Sequence, residues 1–158
     1  MTRSKQIANR LQEVLLDGHW VAQTNIKKQI ENLTWHQAIQ KTNGLNTIAA
    51  LTFHMNYYLG GVIQVLEGGE LEIRDKYSFD LPPIRSERDW KNLVSSFLDN
   101  SKKIIELIEK MEDAQLDKSF VDKKYGTYQR NIEAIIEHNY YHLGQISLIK
   151  KMITSQLE

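Results

Sequence analysis

The stretch HNYYHLGQ, residues 138 to 145, sets His138 and His142 four positions apart, with Gln145 three positions further on. On a helix four positions are about one turn, so the two imidazoles leave the same face one above the other. Neutral imidazole is a common ligand of divalent transition metals. The face continues as Asn131, Ile135, His138, His142, Gln145, Ile149 and Met152. Apolar residues at its ends turn it toward the core and leave two imidazoles and an amide in the middle. A buried polar group left unpaired costs about 1–3 kcal/mol, so this cluster needs a partner.

A third histidine lies within ALTFHMNYYLGG, on a face reading Thr47, Leu51, His54, Tyr58, Gly61 and Val65. If the two helices pack side by side, three imidazoles converge as a facial metal site with a further position open to water or substrate. The competing reading is a group of core histidines bonded to carbonyls, the commoner fate of a lone histidine on an apolar face. Three histidines on two core faces, with Gln145 and Tyr58 nearby, favour the metal. Tyr58 lies one turn beyond His54 and Gln145 one turn beyond His142, which makes them the candidate catalytic residues. They would accept a ring N–H from a ligating histidine or donate to a bound ligand; capping the core edge is the alternative. His19 and His36 sit near caps and loops and are read as solvent-exposed or structural.

Other templates are missing. The residue after His138 is Asn139, so the glutamate of H-E-x-x-H zinc proteases is absent. The residues three before the histidines are Leu51, Ile135 and Asn139, so there is no Glu-x-x-His di-iron motif. LEGGELEI lacks the Gly-Lys-Ser/Thr ending of a phosphate loop. Lys27-Lys28 and Lys150-Lys151 read as solvated faces rather than a nucleic-acid patch.

The elements that must position the histidines are helical. The only prolines, Pro82 and Pro83, are adjacent and leave long proline-free stretches on either side. Ile7, Leu11, Val14 and Leu15 recur at helical spacing, Asp17-Gly18 reads as a stop, and Val21, Ile26, Ile30 and Leu33 resume the pattern. One kinked helix and two separate ones fit this equally. Thr34 and Gln37 form a capping box for a short helix. The second long helix is expected from an Asn46 cap to about Glu67, closed by Gly68-Gly69. About twenty residues without helical period follow, a functional loop or a crossover; Leu71 and Ile73 are too short an alternation for a strand. Ser86 caps a third helix with a wide stripe from Trp90 to Met111. After a polar loop with Tyr125-Gly126, Thr127 caps a fourth that runs to the C-terminal end. Four long helices of this period predict an all-α, antiparallel-type four-helix bundle in which helices 2 and 3 need not form a hairpin.

The 158 residues suit a single domain over 1–158 with a sizeable core. Twenty basic and twenty acidic side chains cancel, which leaves no steering field for nucleic acid or an anionic membrane. No cysteine occurs, so any metal is held by nitrogen and oxygen. No apolar run approaches the roughly 20 residues needed to span a bilayer, and MTRSKQIANRLQ lacks a signal-like apolar region, so a soluble cytoplasmic protein is expected.

Two segments, NTIAALTFHMNYYLGG at 46–61 and IIEHNYYHLGQISLIKK at 135–151 with its H-x-x-x-H-x-x-Q pattern, resemble the DinB-like superfamily of damage-inducible bundle proteins. The resemblance spans about 5 to 153. It implies an up-down-down-up four-helix bundle whose long crossover is 68–88. It implies a divalent metal, zinc or nickel, on His54, His138 and His142, and commonly a homodimer. Its implied chemistry is transfer or isomerisation dependent on a low-molecular-weight thiol such as bacillithiol, mycothiol or glutathione. A metal-dependent thiol S-transferase acting on a small-molecule substrate is the expected function. Without a cysteine of its own, the protein would borrow its thiol as a co-substrate. The alternative is a non-catalytic, stress-related bundle with a structural metal or histidine cluster. Val94 and Leu98 beside Leu93 and Phe97 widen the third helix's apolar face, which adds to the expectation of a homodimer.

Overall fold

The computed structural model describes residues 1–155. Among them are seven α-helices and no strand, so the chain is all-α.

The helix α1 (Arg3–Gln12) opens where the Thr2 side chain accepts the Lys5 N–H, and it continues into a wider π-type turn over Glu13–Asp17. It ends at Gly18, whose backbone turns extended while its N–H reaches the Glu13 carbonyl, and glycine is needed there because a Cβ would stand 2.5 Å from Glu13 Cα. The next turn is broken by Ala22 and Gln23 in the left-handed region. Two separate helices therefore result, the second being α2 (Ile26–Ile30), capped by Asn25. The capping box of Thr34 and Gln37 opens α3 (Trp35–Ala38) with both of its hydrogen bonds made.

The helix α4 (Ile48–Leu66) starts one residue later than expected. Thr47, not Asn46, is its cap, with its hydroxyl accepting the Ala50 N–H at 3.1 Å. Asn and Thr are both good caps, so their order in Asn46-Thr47 carries no preference. The choice falls where the Thr47 carbonyl already receives the Leu51 N–H. Gly68, at φ 91°, follows the helix end. Ser86 caps α5 (Glu87–Glu109) as expected, accepting the Asp89 N–H. A short α6 (Asp113–Leu116) precedes α7 (Tyr128–Ser155), where Thr127 accepts the Arg130 N–H. The expected run of this helix to the C-terminal end lies outside the described residues beyond Ser155.

The core forms between α1, α4, α5 and α7. The first of these packs on α5 and α7, and α4 packs on the same two. Buried Leu11, Leu15, Leu51, Met55, Phe97, Ile104, Ile136 and Ile146 fill the space between them. Polar links tie the layers at their edges. Asn56 and Asn100 join α4 to α5 at 2.8 Å, and Arg3 meets Asp117 at 2.7 Å. The buried Trp90 indole donates to the Leu33 carbonyl at 2.9 Å, anchoring α5 to the segment before α3.

The segment between α4 and α5 forms no strand and lies across α4. The Tyr57 hydroxyl donates to the Arg74 carbonyl and accepts the Arg74 N–H. Gly61 makes the close approach possible, since a Cβ on it would stand 2.5 Å from Ile73 Cγ2. No helix among the described residues is long and apolar enough to cross a membrane.

Candidate functional site

Packing of α4 against α7 brings His54, His138 and His142 together. One nitrogen from each lies within 4.8 Å of the others, and the three could hold a metal ion. The two helical spacings explain this: His138 and His142 rise one turn apart on α7, and His54 faces them from mid-α4. His54 and His142 are buried, while His138 is half-buried.

Hydrogen bonds at the outer nitrogens settle where the inner lone pairs are. His54 Nδ1 lies 3.3 Å from the Ser78 carbonyl, which only accepts, so Nδ1 carries the proton. His142 Nδ1 lies 2.7 Å from Gln145 Oε1 and donates to it in the same way. In neutral rings both Nε2 atoms are then lone-pair acceptors. They stand 3.0 Å and 2.9 Å from one atom, His138 Nε2. That nitrogen has at most one proton and cannot satisfy both at once. Three converging imidazole nitrogens with too few protons fit a cation better than a hydrogen-bond network.

The electrostatics keep the rings neutral. Burial holds His138 down to about 4, with the neighbouring His142 and His54 adding to the shift. Burial also lowers His54, helped by His142 and opposed by the bond to Ser78. Burial lowers His142, opposed by the bond to Gln145. At neutral pH all three are uncharged, the form that ligates a metal.

Gln145 thus orients His142, one of the two roles weighed for it above. Tyr58 does not serve His54 in that way. Its hydroxyl donates to Asp75 Oδ1 at 2.7 Å, and its ring stands edge-on to His54 and His138 at 5.0 and 5.2 Å. Burial, then the bond to Asp75, raises the Tyr58 phenol. His19 and His36 are exposed and outside the cluster.

Sequence reasoning missed Asp75, Ser78 and Phe79. Phe79 lies flat on His54, with ring centroids 4.0 Å apart and planes 12° apart, and screens that side of the imidazole. All three belong to the segment across α4, where no periodicity marks a face. Their one signal was the unusual length of the connection. No family model matches the chain, and no curated protein matches it.

Proposed function

We propose that the chain is a DinB-like four-helix bundle that binds zinc or nickel and acts as a low-molecular-weight-thiol S-transferase. The observation that carries the reading is the convergence of His54, His138 and His142, with two Nε2 lone pairs fixed from behind by Ser78 and Gln145. Helix senses support the bundle. Contacts between α4 and α5 advance together, from Asn56–Ser96 to Glu67–Lys103, as in parallel helices. Those between α1 and α7 also advance, from Arg3–Gln129 to Arg10–Glu133. On α4 and α7 the order reverses, as Leu51 shares a cavity with Ile149 while His54 meets His138. These senses fit up-down-down-up, with 67–86 as the crossover.

A divalent ion bound there supplies a Lewis acid that lowers the pKa of a thiol. The chain supplies three neutral nitrogen ligands, and Phe79 excludes water from the His54 side. Half-buried His138 leaves the cluster open toward solvent. In the transfer, the thiol proton goes to solvent and the sulfur bonds to an electrophilic carbon. The bond to the leaving group breaks, and its electron pair departs with that group.

A second reading is favoured by the crossover itself. Ser78 and Phe79 pack on His54, so an ion there would staple α4, α7 and the crossover with no reaction following. One assay separates the two. Bacillithiol or glutathione is added to 1-chloro-2,4-dinitrobenzene with metal-loaded and metal-free protein. Transfer predicts a rate needing both thiol and metal and lost in His54→Ala. No rate above background with either thiol leaves the structural reading. A rate that persists in His54→Ala removes the metal from the chemistry.

A further inference from the structure

One helical turn from the histidines, between α4 and α7, lies a cavity of about 380 Å³. That volume is within the range of small-molecule sites. Buried Leu51 and Ile149 form its floor, and exposed Leu45 and Leu148 its rim. Its polar contributors are Asn46 and Gln145, and no charged side chain lines it. Leu51 is three residues before His54 and Gln145 three after His142, so on both helices the cavity begins about 5 Å along the axis from the cluster. Gln145 belongs to both places: it lines the cavity and its Oε1 holds His142 Nδ1 at 2.7 Å.

We infer that this cavity binds the acceptor of the transfer, and that the acceptor is a neutral, largely apolar molecule with one polar group directed at Gln145 or Asn46. The inference rests on the thiol-transfer reading. The chemistry of the walls selects the class. A charged ligand would lose its water there and find no counter-charge, whereas an apolar body covers four aliphatic side chains. The low-molecular-weight thiols, which carry charge, are poor occupants of such a cavity and belong on the solvent side of half-buried His138.

The test uses the full chain, first without metal. 1,3-Dinitrobenzene, which is neutral and lacks a leaving group, is titrated into isotopically labelled protein and followed by amide chemical shifts. The expected result is saturable one-site binding with shifts gathered at Leu45, Asn46, Gln145 and Leu148. Leu148→Asp and Leu45→Asp each place a charge on the exposed rim, where folding tolerates it, and each should weaken binding about tenfold. In the loaded protein, Leu148→Asp should raise KM for 1-chloro-2,4-dinitrobenzene about tenfold and leave KM for glutathione within about twofold. Non-saturable shifts, shifts centred on exposed Trp20, or affinity unchanged in both folded variants overturns the cavity assignment. Metal content is measured on the same samples. No probe binding by the native chain, with its metal uptake intact, overturns this inference alone. Probe binding intact in a protein that takes up no metal overturns the transferase reading and with it the acceptor role.

Discussion

Gly61→Ala should reverse the sign of its effect on stability according to what stands at residue 73. A Cβ at position 61 would lie 2.5, 2.6 and 2.8 Å from Cγ2, Cδ1 and Cγ1 of Ile73. Optimal carbon–carbon contacts are about 3.5–4.0 Å, so three atoms overlap by about 1 Å each. The backbone cannot drift away freely, because Tyr57 holds both the N–H and the carbonyl of Arg74 and Tyr58 holds Asp75. Overpacking of this kind costs about 1–3 kcal/mol. Alanine inside a helix returns up to about 1 kcal/mol relative to glycine. The net loss with Ile73 present is therefore about 0–2 kcal/mol. In an Ile73→Ala background the three overlapping atoms are gone, and Gly61→Ala should stabilise by about 0.5–1 kcal/mol. Urea unfolding of the four proteins of this double-mutant cycle measures a coupling of about 1–3 kcal/mol. Equal effects of Gly61→Ala in both backgrounds would refute the claim that the crossover is seated on α4 at this glycine.

Three further outcomes are expected. Gln145→Leu removes the acceptor that holds His142 Nδ1, so metal affinity should fall about 10–100-fold in titrations against a chelating dye, with the helical circular dichroism unchanged. Trp90→Phe leaves the Leu33 carbonyl without its indole donor and should cost about 1–3 kcal/mol in denaturant unfolding; a neutral substitution would contradict the buried bond. The Asp113 carboxylate accepts the Ser4 and Arg3 N–H groups, which hold it below its ordinary value of 3.8. Its depressed folded value means that its stabilising contribution is present above pH 3.8 and is lost as pH falls through the folded value. The stability gap between the native chain and Asp113→Asn should narrow on acidification below that point, and a gap that widens would reverse the assignment.

Helical spacing made the histidine cluster legible in the sequence before its surroundings. His138 and His142 are bound to share a face once the segment is helical, and His54 shares a face with Leu51, which is buried. Local capping chemistry was equally readable at Thr34 and Ser86, because each makes its hydrogen bond within three residues. Where two good caps are adjacent, as at Asn46 and Thr47, local chemistry has no preference and the helix start was misplaced by one. The break between α1 and α2 depends on left-handed backbone at Ala22 and Gln23, residue types that give no sign of it. The contacts of Ser78, Phe79 and Asp75 with His54 and Tyr58 span 17 to 25 positions along an aperiodic segment. Their partners are fixed by how that segment crosses α4, which no local pattern encodes.

The central claim is that three imidazoles converge to hold one divalent ion, and the most direct test is metal stoichiometry. The protein, purified without an affinity tag, is loaded with zinc or nickel, freed of excess ion and analysed for metal per chain. The account predicts close to one ion per chain, a sharp drop in His142→Ala, and no change in His36→Ala. Substoichiometric metal that does not rise on loading with either ion, or equal occupancy in His142→Ala, would contradict it.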